Sequence, residues 1–227
     1  YSNSITITNN YDGNDYTDTV KGVSAITGSF FGDVIKGHAN LADYIMGLNG
    51  PDTLDGGSFG TDQPWNEVSF AGDGGSGIDL TFGYNGSYVG AATDSWGNTD
   101  SLDNFNAFCG TENNDTLQLD SASANPDGVD WTFFSSPGND HFTNLNFGLD
   151  EHLRVTYIDD QSGITLTYDN ANNWYNVTDG WSGTDIVESI YEIEGSPYND
   201  SFNFENEGME TFVIGSQGND TITGDSN

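Results

Sequence analysis

Short runs of alternating apolar and polar residues occur along the whole chain, separated by turns rich in Gly, Asn and Asp. Alternation with a period of two is typical of β-strands that bury one face. The clearest runs, with two further strand-like segments, are residues 4–8, 77–82, 163–168, 67–70 and 154–157. The pattern therefore predicts an all-β protein.

A longer motif occurs three times, at residues 18–33, 100–115 and 185–200. Each copy begins and ends with an aspartate, has a glycine ten residues after the first aspartate, and carries apolar residues at its third, sixth and ninth positions. Self-similarity of this kind indicates a repeat architecture. Because the copies start 82 and 85 residues apart, we expect about three degenerate units, at approximately residues 1–70, 71–157 and 158–227.

Acidic turns follow one another in steps of nine or ten residues, each with an apolar residue two positions later. Examples are Asp33 with Ile35, Asp43 with Ile45, and Asp52 with Leu54. A solenoid that lays down one short strand and one turn per step has this spacing. We therefore predict that residues 1–227 form a single parallel β-roll or β-helix solenoid.

If two steps make one coil, alternate turns stack on the same edge of the solenoid. The predicted pairs are Asp33 with Asp52, Asp43 with Asp62, Asp115 with Asp140, and Asp200 with Asp220. The pair in the middle unit requires an insertion around residues 121–130 to bulge out. Asp94 lies in a Gly/Ala/Ser-rich connection, and we expect it outside this row, so that Asp52→Ala should cost more calcium affinity than Asp94→Ala.

Glycine-rich acidic turns offer the ligands that calcium prefers, about six to eight oxygens from carboxylates, backbone carbonyls and water. Residues 47–55 match the calcium-binding nonapeptide G-G-x-G-x-D-x-U-x except at its second glycine. Isolated Asn-Asp and Gly-Asp pairs are ordinary turn formers, but a series in register favours calcium. The predicted calcium-binding residues are Asp33, Asp43, Gly50, Asp52, Asp62, Asp115, Gly138, Asp140, Asp200, Gly218 and Asp220.

This succession of strand, G-T-D, apolar residues at every third position and G-N-D-T turns resembles bacterial RTX (haemolysin-type calcium-binding) repeat regions. It is clearest over residues 183–225, and weaker copies extend over nearly all of the chain. The tandem double glycines of those regions are mostly absent. The resemblance implies a parallel β-roll or β-helix, calcium-induced folding and export by type I secretion.

The charge is strongly unbalanced, with 36 acidic residues against three basic ones and a formal net charge of −33. Nucleic acids and anionic membranes require a basic surface, so both are excluded as partners. An acidic surface also serves solubility and salt tolerance. No run approaches the roughly 18 consecutive apolar residues of a membrane span, and the single cysteine, Cys109, excludes an internal disulfide framework.

No H-E-x-x-H, G-x-S-x-G or Walker motif is present, and we predict that the chain is not an enzyme. His38 and His141 fall in turns and are expected to be exposed. Trp96 and Trp181 occupy equivalent places near Asp100 and Asp185, and with Trp174, Tyr175 and Tyr168 they offer a candidate surface for sugar rings.

The leading hypothesis is an extracellular calcium-binding structural protein of a cell-surface assembly, such as an adhesin stalk, surface layer or filament. Its expected partners are copies of itself stacked end to end or other extracellular structural proteins, with polysaccharide as a further candidate. The alternative is a carbohydrate-binding or secretion module that accompanies a secreted enzyme.

Overall fold

The computed structural model describes residues 4–11, 14–21, 23–39, 41–59, 65–122, 128–145, 152–205 and 211–224. Within these ranges the chain forms β-strands and no helix. The strands are β1 (Ser4–Tyr11), β2 (Asn14–Lys21), β3 (Ala25–Thr27), β4 (Asp33–Lys36), β5 (Asp43–Met46), β6 (Thr53–Asp55), β7 (Asn66–Ser69), β8 (Asp79–Tyr84), β9 (Tyr88–Thr93), β10 (Thr99–Asp103), β11 (Ala107–Cys109), β12 (Thr116–Leu119), β13 (Trp131–Phe134), β14 (His141–Asn144), β15 (Leu153–Thr156), β16 (Thr165–Asp169), β17 (Trp174–Thr178), β18 (Thr184–Glu188), β19 (Glu192–Glu194), β20 (Ser201–Asn203), β21 (Phe212–Ile214) and β22 (Thr221–Thr223).

Two sheets enclose one hydrophobic core. Sheet A has fourteen strands in the order β2-β1-β4-β6-β10-β9-β8-β12-β14-β18-β17-β16-β20-β22, and sheet B has eight in the order β21-β19-β15-β13-β11-β7-β5-β3. Outside the antiparallel hairpins, successive strands alternate between the sheets and pair in parallel with the strand one coil away. The all-β, largely parallel solenoid architecture is thus confirmed, whereas the count of three units stays a prediction.

The core forms because one apolar side chain of each short strand points inward and stacks in register on its neighbours. In sheet B this column is Ile26, Ile45, Val68, Phe108, Phe133, Val155, Ile193 and Val213. A slip of one residue would turn such a column outward, so burial fixes the register. Trp131 fills the space between the sheets, with its ring 5.5 Å from that of Phe82 and 5.8 Å from that of Tyr88.

The apolar residues at every third position of the repeated motif mark the crossing from sheet A to sheet B. Leu102 lies in β10, Phe105 in the turn and Phe108 in β11, and all three are fully buried. Asn104 has a left-handed φ of 59°, and the equivalent Ser189 has a φ of 53°. The chain bends at these positions, which carries the apolar face from one sheet into the other.

Two three-stranded antiparallel insertions, β8-β9-β10 and β16-β17-β18, widen sheet A at equivalent places. The alternating runs at residues 4–8, 77–82 and 163–168 predict equivalent strands of the three units, so residues 4–8 should match the first strand of these insertions. That alignment is wrong, because β1 runs antiparallel to β4, whereas β8 and β16 run parallel to β12 and β20. β1 therefore has the position of β9 and β17. Nothing in the described ranges could serve as a membrane-spanning helix.

Candidate metal centre

A row of aspartates follows one edge of sheet A, at or beside the first residue of its parallel strands. We call this row the aspartate ladder; its members are Asp33, Asp52, Asp100, Asp115, Asp140, Asp185, Asp200 and Asp220. All except Asp220 are buried. The position of the seven buried members is set by the apolar residue two places later, which must enter the core and thereby turns the aspartate inward as well.

Five of the eight ladder carboxylates accept a hydrogen bond from the backbone N–H of the ladder aspartate one strand away. The donor–acceptor pairs are Asp33 N to Asp52 Oδ1 (2.8 Å), Asp52 N to Asp100 Oδ1 (2.9 Å), Asp115 N to Asp140 Oδ1 (2.9 Å), Asp140 N to Asp185 Oδ1 (2.9 Å) and Asp200 N to Asp220 Oδ1 (3.0 Å). Three of the four predicted stacked pairs are confirmed. That Asp100 and Asp185 extend the ladder was not predicted.

The second oxygen of several ladder carboxylates folds back onto its own turn, where a glycine makes room for it. This glycine lies five residues before the aspartate, and a Cβ added to it would overlap the aspartate's Oδ2. The five glycines are Gly28, Gly47, Gly110, Gly195 and Gly215. In two of these turns the next backbone N–H donates to the same oxygen, from Ser29 to Asp33 (2.5 Å) and from Thr111 to Asp115 (2.6 Å). Turn and carboxylate therefore form one unit.

The predicted pair of Asp43 with Asp62 is wrong in register. Asp43 opens β5 in sheet B and lies opposite Asn66 of β7, because the longer connection before β7 shifts the pairing beyond Asp62. Asp62 itself lies outside the described residues. The Asp43 carboxylate accepts the backbone N–H of His38 (2.5 Å) and contacts its Nδ1 (2.6 Å).

His38 is only 4% exposed, so its predicted exposure is wrong; the Asp43 carboxylate draws the ring inward. His141 keeps 38% of its side chain exposed, with Nε2 2.5 Å from Glu188 Oε1.

The three glycines predicted to bind calcium shape the turns of the ladder. Gly50, Gly138 and Gly218 have left-handed φ angles of 130°, 145° and 116°. A Cβ on Gly50 would come within 2.6 Å of the backbone of Phe31 in the neighbouring turn. Only glycine permits this close stacking of successive turns.

Four buried aspartates gather where antiparallel strand β9 interrupts the ladder, and we call them the first acidic cluster: Asp52, Asp73, Asp94 and Asp100. The expectation that Asp94 lies apart is wrong, since it is 2% exposed and its Oδ2 faces the backbone N–H of Gly50 at 3.4 Å. The reversed direction of β9 brings the β9–β10 turn, and Asp94 with it, to the ladder edge.

The second acidic cluster has the same construction at β17 and consists of Asp140, Asp160, Asp179 and Asp185. Asp94 Oδ1 accepts the backbone N–H of Trp96 (2.9 Å), and Asp179 Oδ1 accepts that of Trp181 (3.0 Å). The structure thus builds the same acidic site twice.

Carboxylates in both clusters resist ionisation. In the first, burial and repulsion between the carboxylates raise the pKa of Asp52 to about 7, of Asp73 to about 6 and of Asp100 to about 8. In the second, the same causes raise the pKa of Asp140 to about 9, of Asp160 to about 6 and of Asp185 to about 7. Binding of a cation would relieve this repulsion.

Several buried carboxylate oxygens in the clusters have no hydrogen-bond partner among the described residues: Asp52 Oδ2, both oxygens of Asp73, Asp100 Oδ2, Asp179 Oδ2 and Asp185 Oδ2. The backbone N–H of Ser95 nevertheless acts to lower the pKa of Asp73, and the Tyr157 hydroxyl acts to lower that of Asp185, although neither contact meets hydrogen-bond geometry. An unpaired buried polar atom is costly. These oxygens are the hard ligands that calcium takes.

In the part of the chain that the structure describes, no His, Cys, Asp and Glu side chains gather into a group of three that could hold a metal ion by themselves. A calcium ion at either cluster would therefore use one or two carboxylates, with backbone carbonyls and water supplying its other ligands. The thiol of Cys109 does not contribute, because burial raises its pKa to about 12.

The aromatic residues that the sequence suggested for sugar binding do not form one exposed surface. Trp96 is 39% exposed and packs edge-on against Phe30, with ring centroids 6.3 Å apart. Tyr175 is buried in the core, where its ring lies 5.5 Å from Tyr168.

Comparison with protein-family models finds no match to this chain, and comparison with curated proteins finds no relative.

Proposed function

We propose that this chain is an extracellular calcium-binding structural repeat protein of a cell-surface assembly. The observation that carries the proposal is the pair of equivalent acidic clusters, each with buried carboxylate oxygens that no described donor satisfies. A net charge of −33 makes this arrangement still more costly without cations.

The protein's own cations do not neutralise the clusters. Of the basic side chains that the structure describes, Lys36 pairs with Asp55, and Arg154 pairs with Glu192 on the opposite sheet. Burial of an ionised carboxylate without a partner destabilises the folded state by roughly several kcal/mol, so these groups require either protons or metal ions. Calcium fits better than magnesium, because it accepts irregular sets of carboxylates and carbonyls whereas magnesium demands a near-ideal octahedron.

Calcium in this proposal stabilises the solenoid and takes no part in a reaction. Extracellular modules bind calcium with dissociation constants of about 0.1–1 mM, and the resemblance to RTX regions supports export by type I secretion. The proposed partners are copies of the chain stacked end to end or other extracellular structural proteins. Among the described residues β21 and β22 pair on one side only, and Phe212 and Ile222 are each 53% exposed; these edges support such stacking.

The test is thermal unfolding followed by circular dichroism, in EGTA and in excess calcium. We expect the β-spectrum and the melting temperature to depend on calcium, since ions bound only to the folded state add to its stability. Asp52→Asn should reduce the calcium-induced rise in melting temperature, whereas the exposed control Asp79→Asn should not. An unchanged spectrum and melting temperature in EGTA would refute the proposal.

A further inference from the structure

A groove crosses the outer surface of sheet B, on the side of the molecule away from the acidic clusters' edge. Its cavity volume is about 290 Å³, and its lining residues include Trp65, Thr132, His152, Arg154 and Tyr191. They lie in or just before β7, β13, β15 and β19, and Asn106, before β11, completes the series. Because these five strands are neighbours, the groove extends along the solenoid axis for about 19 Å at about 4.8 Å per strand.

The lining consists of aromatic and hydrogen-bonding side chains and includes no aliphatic one. The Trp65 indole is 41% exposed and rests edge-on against Phe134, with ring centroids 5.7 Å apart. At the other end, the Tyr191 ring lies between the rings of His152 and Phe212, with ring-centroid distances of 4.2 and 4.8 Å. The groove therefore has stiff aromatic ends, with polar groups between them.

The charged groups of the groove are already paired with one another. Arg154 bonds to Glu192 and lies 3.7 Å from Glu194, and His152 Nδ1 lies 3.1 Å from Asp130 Oδ1. No surplus positive charge is left for a polyanion, which the net charge of −33 would also repel. A purely apolar ligand would leave the polar lining unsatisfied.

We propose that this groove binds a linear, uncharged polysaccharide. Sugar rings have apolar faces that pack on an indole, and their hydroxyl groups can bond to the carboxylates, the guanidinium and the amide of the lining. A groove that spans five strands suits a chain of sugars better than a single one. The site is separate from the acidic clusters and does not depend on calcium beyond the need for a folded solenoid.

The experiment uses the whole chain in calcium on an array of neutral, amino-substituted and acidic glycans. We expect binding to neutral glycans, followed by titration calorimetry with the best-bound oligosaccharide. Trp65→Ala should weaken that binding by about tenfold or more, because it removes the exposed stacking surface. Trp65→Phe should retain part of the affinity, and the matched control Trp96→Ala, a similarly exposed indole on the ladder edge, should retain all of it.

Circular dichroism must first show that every variant is folded. The proposal is overturned if no glycan binds, if only acidic or amino-substituted glycans bind, or if Trp96→Ala weakens binding as much as Trp65→Ala. If the folded protein is equally stable in EGTA and in calcium while glycan still binds, the proposed calcium-binding function is contradicted. The proposed glycan site is not affected by that result.

Discussion

The two acidic clusters have the same backbone construction but differ in how their carboxylates are satisfied. In the first, neither oxygen of Asp73 meets a donor at hydrogen-bond geometry among the described residues, and only the backbone N–H of Ser95 acts to lower its pKa. In the second, the equivalent Asp160 accepts the hydroxyl of Ser135 and the backbone N–H of Gly180, both at 2.6 Å. The same fold can thus supply a buried carboxylate with two hydrogen-bond donors at one copy and with a weaker contact at the other.

A second difference lies in the residue that directly follows a strand of sheet B beside each cluster, after β7 at the first and after β15 at the second. The position is Phe70 at the first cluster and Tyr157 at the second, and both side chains are buried. The Tyr157 hydroxyl faces Asp185 and lowers the pKa of that carboxyl against the opposing effect of burial. Phe70 offers no such donor. If the clusters bind calcium as proposed, the first should depend on the ion more than the second.

The largest expected effect is a loss of stability with rising pH in calcium-free solution. The pKa values of the cluster aspartates are raised to between about 6 and about 9, against about 3.9 in an unfolded chain. Between these limits the folded state binds more protons, so its stability is greatest below about pH 4 and falls as pH rises through 6 to 9. We expect a loss on the order of several kcal/mol, or roughly 10 °C in Tm.

Calorimetry at a series of pH values checks this, with and without calcium. Calcium should flatten the dependence, because it takes the place of the protons. A Tm that is constant or rises with pH in calcium-free buffer would show that the carboxylates are satisfied by the protein alone.

The next effect distinguishes the two clusters by whether an Asp→Asn substitution raises the free energy of unfolding. At pH 8 without calcium, Asp73→Asn should raise the free energy of unfolding by about 1–2 kcal/mol, because it removes a buried charge that no described donor contacts at hydrogen-bond geometry. Asp160→Asn should give no such gain, since an amide cannot accept from both Ser135 and Gly180. Urea unfolding of the two variants measures the difference, and equal gains would erase the distinction between the clusters.

The ladder could be predicted from the sequence because its determinants are local. A glycine, an aspartate five residues later and an apolar residue two residues beyond that mark most of its turns. Coil lengths of 19, 20 and 25 residues bring Asp33, Asp200 and Asp115 to their partners. Burial of the apolar residue then fixes the register. These stacked pairs follow from spacing alone.

The acidic clusters could not be predicted in this way. Asp94 lies close to Asp52 only because β9 runs antiparallel. The sequence around Asp94 is typical of an ordinary connection and gives no sign of this. The predicted partner of Asp43 is wrong because the length of the connection between β6 and β7 decides which residue lies opposite Asp43, and that residue is Asn66. The groove on sheet B combines Trp65 with Tyr191, which only the stacking of five coils brings together. Spacing does not reveal strand direction or connection length.

A smaller effect concerns calcium affinity at equivalent ladder positions. Asp100→Asn keeps an oxygen to accept the Asp52 N–H but removes a charge from the first cluster, and it should weaken calcium binding by about tenfold. Asp185→Asn should weaken it less, because the second cluster has more donors. Titration calorimetry measures both, with exposed Asp79→Asn as control. Equal losses in all three variants would mean that net charge, rather than the clusters, governs binding.

The smallest expected effect comes from exchanging the residues that directly follow β7 and β15. Tyr157→Phe removes the hydroxyl that faces Asp185 and should cost about 1 kcal/mol in calcium-free solution. Phe70→Tyr supplies the equivalent hydroxyl to the first cluster and should raise the calcium-free Tm by roughly 2–4 °C. It should also narrow the difference in Tm between EGTA and calcium, because the added hydroxyl would partly offset the buried negative charge that calcium would otherwise neutralise. If Phe70→Tyr lowers the Tm while Tyr157→Phe leaves it unchanged, the hydroxyl is not what distinguishes the two clusters, and the contrast rests on Ser135 and Gly180 alone.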